Sequence, residues 1–145
     1  KPWLTQLYSR LICDEFYGLT PEHGYGYGQD EDQGQLGAWY VLAAMGLFDV
    51  QGGTNITPSY QIGSPKFNKI TIKLNPKYYS GKEFIIETEN CSPTNYYVQS
   101  ATLNGKPLDD CWFYRKEIMN GGHLKLKMDS IPNTQWGIAS IPHSK

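Results

Sequence analysis

The sequence has no excess of either charge, no long apolar run, few cysteines and no nucleophile motif, and each lack removes a class of function. Thirteen Lys and Arg stand against 14 Asp and Glu, a net charge of −1, so nothing in the charge balance draws the chain to nucleic acid or to an anionic membrane. No apolar stretch approaches the roughly 20 residues needed to span a bilayer. Cys13, Cys91 and Cys111 are odd in number and far apart. They show neither zinc spacing nor a Cys-x-x-Cys pair, so buried or free thiols are the default, and a Cys91–Cys111 bridge has nothing in the spacing to support it. No phosphate-binding loop and no Ser or Cys nucleophile constellation is present. The chain opens Lys1-Pro2-Trp3, with neither an initiator methionine nor a signal-peptide layout, and is expected to be a piece of something longer. Its 145 residues make one ordinary domain or part of a larger one, able to bury roughly two thirds of the unfolded surface. Asn55-Ile56-Thr57 and Asn90-Cys91-Ser92 fit the N-glycosylation pattern, which matters only in a eukaryotic secretory setting.

What is present is an acidic stretch feeding an uncharged one. Asp30, Glu31 and Asp32 are consecutive, and no further charge follows until Asp49. Asp32 reads as a helix N-cap, with Gln35 reaching back in a capping box. Asp30 and Asp32, two apart, point the same way in an extended loop and can face one cavity at a helix N-terminus. The bland reading makes Asp32 a cap, Glu31 a solvated residue and Asp30 the start of a turn. Against it stands Gly24-Tyr25-Gly26-Tyr27-Gly28 just upstream, costly in chain entropy unless the backbone needs unusual angles or close approach to a ligand. An EF-hand loop is excluded, because Gln35 sits where the sharp-turn glycine belongs and Val41 where the bidentate glutamate belongs.

On either side of that stretch lie two helical patterns. From Trp3 to about Tyr17, Leu4, Leu7, Tyr8, Leu11, Ile12 and Phe16 recur at helical spacing, with Gln6, Ser9, Arg10 and Asp14 elsewhere on the wheel and Gly18 as the stop. From about Gln33 to Leu47 the chain is apolar all round, which predicts a helix buried on every side, more than one neighbour and a small β tail can cover. Its other partners are expected in an upstream part of the same polypeptide. After Gly52-Gly53 the period becomes two: Ile70/Ile72/Leu74, Phe84/Ile86/Thr88 and Leu124/Leu126/Met128 alternate with polar neighbours. Asn104-Gly105 is a type I′ hairpin signal, Gly121-Gly122 marks another tight turn, and Trp136-Gly137-Ile138 is expected to close the sheet. The expected fold is α+β, two helices over 1–52 and then a small antiparallel β-sandwich over 53–145.

The run Asp30-Glu31-Asp32-Gln33-Gly34-Gln35-Leu36-Gly37-Ala38-Trp39-Tyr40-Val41 resembles glycoside hydrolase family 92, exo-acting bacterial α-mannosidases. The resemblance continues through Gly63-Ser64-Pro65, Gln99-Ser100-Ala101-Thr102-Leu103-Asn104-Gly105-Lys106, Gly121-Gly122-His123-Leu124 and Pro132-Asn133-Thr134-Gln135-Trp136-Gly137. Two departures stand out: Gly37 replaces the usual serine before Ala-Trp, and the approach loop is richer in tyrosine and glycine.

The resemblance implies that the two helices close an (α/α)6 barrel, and that the enzyme releases terminal mannose from α-mannosides, α-1,2-linked ones foremost, with inversion. Glycoside hydrolysis needs an acid and a base on opposite faces of the sugar, and neighbouring carboxylates on one short loop lie on one side of it. The resemblance resolves this by placing the base here and the general acid, a glutamate, upstream of this chain. It makes Asp32 the base that activates water and Asp30 its partner in positioning that water; Glu31 is left as a structural residue or a substrate contact. His23, beside Glu22, is a candidate proton-transfer partner or leaving-group contact, and Tyr25 and Tyr27 are candidate sugar-stacking rings; the plainer alternatives are a solvated histidine and tyrosines that pack the loop. Trp39 is expected in the core and His123 and His143 on the surface. Calcium is implied as a cofactor with ligands not located in this chain, a mannose-containing glycan as substrate, and a secreted, periplasmic or cell-surface location in a bacterium. A different class of reading remains open, a non-catalytic carbohydrate-binding or structural β-sandwich module.

Overall fold

The computed structural model describes residues 1–23 and 33–141. Helix α1 spans Pro2–Glu15, with proline in its first turn, where a missing N–H costs nothing. Helix α2 spans Gln35–Met45 and ends on Gly46, whose left-handed conformation (φ 75°) lets its N–H return to Ala43 O and Leu42 O. Strands follow: β1 (Leu47–Phe48), β2 (Ser59–Ile62), β3 (Lys69–Lys73), β4 (Glu83–Glu89), β5 (Tyr97–Leu103), β6 (Lys106–Pro107) and β7 (Trp112–Tyr114), then a short helix α3 (Arg115–Met119) and β8 (Gly122–Asp129).

The strands form two sheets, ordered β1-β2-β7 and β3-β4-β8-β5-β6. The sandwich is mixed, which corrects the expectation of a purely antiparallel one: β4 and β8 run parallel, Phe84 opposite Gly122 through Glu89 opposite Lys127. Parallel neighbours need a long crossover, and everything from Asn90 to Gly121 supplies it. The crossover ends where two glycine backbones meet. A Cβ at Gly81 would lie 2.2 Å from the Gly121 nitrogen, and Gly121 itself has φ 77°. Asn104 (φ 52°) and Gly105 (φ 76°) make the expected hairpin between β5 and β6.

Alternation places the core as expected. Phe84, Ile86, Leu124, Leu126, Met128 and Val98 are fully buried between the sheets, with Phe84 stacked on Phe113. A register shift between Val98 and Ser100 lets Val98 and Ala101, which strict alternation would separate, both face inward. Trp136 joins this core, donating from Nε1 to Leu108 O at 2.9 Å. The 136–138 segment does not add the expected closing strand; only isolated bridges tie Gly137 and Ile138 to Asp110. All three cysteines are free, so Cys91 and Cys111 are not bridged.

The helices differ from expectation in where α2 starts and in the faces that α1 and α2 bury. The helix start falls later than the capping-box reading required: Gln33 (φ 58°) and Gly34 (φ 81°) are both left-handed, Gly34 is the N-cap, and Gln35 is the first helical residue rather than the third. Among the described residues the helices are α1, α2 and the short α3, which by themselves make no barrel. The side of α1 that packs inward is also the opposite of the one the wheel suggests. Its buried residues are Pro2, Gln6, Arg10 and Cys13, while Tyr8 is 57% and Phe16 46% exposed. α2, expected to be buried all round, buries only Ala43 and Ala44, and Val41 is 56% exposed.

Candidate functional site

The segment between α1 and α2 carries the candidate site. Asp30, Asp32, Glu31, Tyr25 and Tyr27 lie outside the described residues, as does His143; the structure speaks to what stands on either side of them. Tyr17, two residues beyond the end of α1, stacks on Trp39 with ring centroids 5.5 Å apart and an interplanar angle of 16°, and lies 5.1 Å from the Tyr40 ring. Its hydroxyl donates to Leu36 O in the first turn of α2 at 3.2 Å. The chain leaving α1 is thereby joined to the chain entering α2. Trp39, expected in the core, is half-buried and spends its face on this stack.

His23 is half-buried and locally held. Its N–H donates to Thr20 O at 3.1 Å, and its Nδ1 lies 2.8 Å from the Thr20 hydroxyl. Its ring packs over Gly18, where a Cβ would sit 2.3 Å from it. Glu22 shares the same threonine. A hydrogen bond from Thr20, then its own backbone N–H and the neighbouring His23, hold its carboxyl below the usual carboxylate range. Thr20 thus holds both His23 and Glu22 in one local turn.

The polar face of α1 holds residues that the sequence reading left on the solvent side. Arg10 is buried, donates from Nη1 to Pro65 O at 2.7 Å and from Nη2 to Ser92 O at 2.9 Å, and lies over the Tyr96 ring at 5.4 Å. Gln6, also buried, accepts from the Val98 N–H at 3.0 Å. Lys66 pairs with Asp14 and sits over the Tyr40 ring. Burial opposes the Lys66 charge, but the hydrogen bond and charge of Asp14 outweigh it and hold the ammonium above its ordinary pKa. The signal that would have found this face is the i, i+4, i+7 spacing of Gln6, Arg10 and Cys13.

Among the described residues no group of three or more His, Cys, Asp or Glu side chains is arranged to hold a metal. These residues therefore offer no carboxylate cluster to the calcium that the resemblance implies. His123 lies on the surface as expected, its Nε2 3.1 Å from Glu87, beside the Lys125–Glu89 pair. Among the described residues no helix is long and apolar enough to cross a membrane.

Residues 1–130 match the family model described as the glycosyl hydrolase family 92 catalytic domain. An uncharacterized secreted glycosidase of Arthroderma benhamiae is 34% identical over 114 residues, covering 77% of this chain and 14% of that protein. Among solved structures, the family GH92 α-mannosidase BT3965 from Bacteroides thetaiotaomicron superposes with a TM-score of 0.81 at 33% identity over 95% of this chain. The inverting mannosidase BT2199 of the same organism gives 0.78 at 39% identity over 94%. This chain spans 17% of the length of each of those two structures. With nearly the whole sequence inside the family model and the fold shared with two of its mannosidases, the chain belongs to glycoside hydrolase family 92.

Proposed function

We propose that this chain is the supporting module of a family 92 glycoside hydrolase, without a complete active site of its own, and that its sandwich holds a helix pair from which the acidic 24–32 segment is presented. The observation that carries this reading is the fastening of α1: its polar stripe, not its apolar one, enters the sandwich through Gln6 and Arg10. Apart from Pro2, Cys13, Ala43 and Ala44, the apolar residues of α1 and α2 are left half-buried or exposed, as suits helices whose further partners belong to an upstream part of the same polypeptide. Residues 1–52 would then be the closing helices of an (α/α)6 barrel and 53–145 the sandwich. The test is direct: the 145-residue chain, incubated with an α-1,2-mannobioside, releases no mannose. Release by this chain would overturn the reading.

In the parent enzyme the same reading gives Asp32 the role of base and Asp30 that of positioning the attacking water, with the general acid outside this chain. Two carboxyls on opposite faces of the sugar, far enough apart to admit water, produce inversion, and one of the matched structures is an inverting mannosidase. The Tyr17 clamp supports this role, since a base must be held in place relative to the sugar it serves. The substrate is a mannose-containing glycan, calcium is the cofactor of the parent enzyme, and secretion follows the description of the fungal relative.

A further inference from the structure

Between α2, β2, β3 and α3 lies a cavity of about 480 Å³, within the range of small-molecule sites. Its aliphatic lining comes from both layers: Leu42 and Met45 of α2, Ile72 of β3, and Ile118 and Met119 of α3. Its polar lining is Tyr60, Tyr79, Lys73 and Arg115, two cations and two phenols with no acid. Among the described residues the Arg115 guanidinium makes no ion pair and no side-chain hydrogen bond; only its backbone N–H is engaged, with Pro58 O at 2.8 Å. Neither acid on the adjoining elements, Asp49 or Glu117, forms an ion pair with Arg115 among the described residues, although the charge of Asp49 reaches Tyr60 as that of Arg115 does. Asp49 accepts from Gln51 N at 3.0 Å and Gly53 N at 2.8 Å, and Glu117 lies against the Asn104 amide.

We propose that this cavity binds a small monocarboxylate with an apolar body, its carboxylate on Arg115 and its stem against Met45, Ile72 and Ile118. A guanidinium that has no carboxylate partner among the described residues is matched by a carboxylate in a charge-assisted, bidentate pair. A sugar is a poor occupant, because its hydroxyls would lose water against aliphatic walls and find too few partners. Inorganic phosphate would leave the apolar lining uncovered.

The probes are sodium hexanoate and uncharged hexanamide, titrated into the 145-residue chain while the methyl NMR signals of Met45, Met119, Ile72 and Ile118 are followed. Hexanoate is expected to move these signals saturably, with hexanamide at least about tenfold weaker for want of the ion pair. Arg115→Met is expected to weaken hexanoate by a similar factor. Ile118→Phe, which fills the cavity and keeps the cation, is expected to abolish binding; the signals of Val98 and Leu126 report that each variant is folded. Hexanoate that leaves the four methyls unmoved, or binds no better than hexanamide, overturns the proposal, as does undiminished binding by either folded variant.

Discussion

The Val98 N–H, at the start of β5, donates to the side-chain oxygen of Gln6 across 92 positions of sequence, at 3.0 Å and out of reach of water. This bond joins the helix pair to the five-stranded sheet beside the register shift between Val98 and Ser100. Gln6→Leu keeps the volume and removes the acceptor. The expected loss is about 1–3 kcal/mol, the cost of a buried donor left unpaired, read as a lower midpoint with unchanged slope in urea denaturation.

Arg10 serves two carbonyls on separate loops, Pro65 and Ser92, with the two arms of one guanidinium. Arg10→Lys keeps the charge but cannot span both. It is expected to destabilise by about 2 kcal/mol or more, measured the same way, whereas Lys77→Arg on an exposed turn leaves the midpoint unchanged.

Burial raises the Cys13 thiol above the ordinary cysteine pKa, with Lys66 partly opposing it, and burial does the same at Cys111. The unfolded chain gives up these protons at a lower pH than the folded one, so stability is full below the ordinary thiol range, about pH 8.5. It falls as pH rises from there toward the folded pKa. Denaturation between pH 8 and 10 is expected to show a shallower decline for Cys13→Ala than for the parent chain; equal slopes would contradict this.

Tyr17 offers a separable stack and hydrogen bond. Tyr17→Phe keeps the ring, removes the hydroxyl's bond to Leu36 O and costs about 1 kcal/mol. Tyr17→Ala also removes the contacts with Trp39 and Tyr40 and is expected to cost about 3 kcal/mol or more. The readout is hydrogen exchange at the Ala38 amide, whose bond to Gly34 O closes the first turn of α2: slightly faster in the first variant, much faster in the second.

The strands were legible because period-two alternation at Phe84/Ile86/Thr88 and Leu124/Leu126/Met128 reports a half-buried surface directly. The parallel pairing of β4 with β8 was not, since nothing local in either strand specifies its neighbour. The start of α2 was misplaced because a carboxylate two residues before Gly34 looks like a cap, while the left-handed turn at Gln33-Gly34 that delays the helix leaves only the glycine as a sign. The orientation of α1 was hidden for a related reason. A hydrophobicity pattern shows which face avoids water, and cannot show that Gln6 and Arg10 carry hydrogen bonds specific enough to be buried instead. Of the candidate site, the sequence named the acidic residues through a family pattern, and the structure adds Tyr17, Thr20 and Trp39 as the groups flanking them.

The most direct test of the account is the turnover of the parent hydrolase with Asp32→Asn. If Asp32 is the base, kcat on an α-mannobioside falls by roughly two to four powers of ten while substrate affinity is kept. Turnover equal to that of the unaltered enzyme would contradict the assignment.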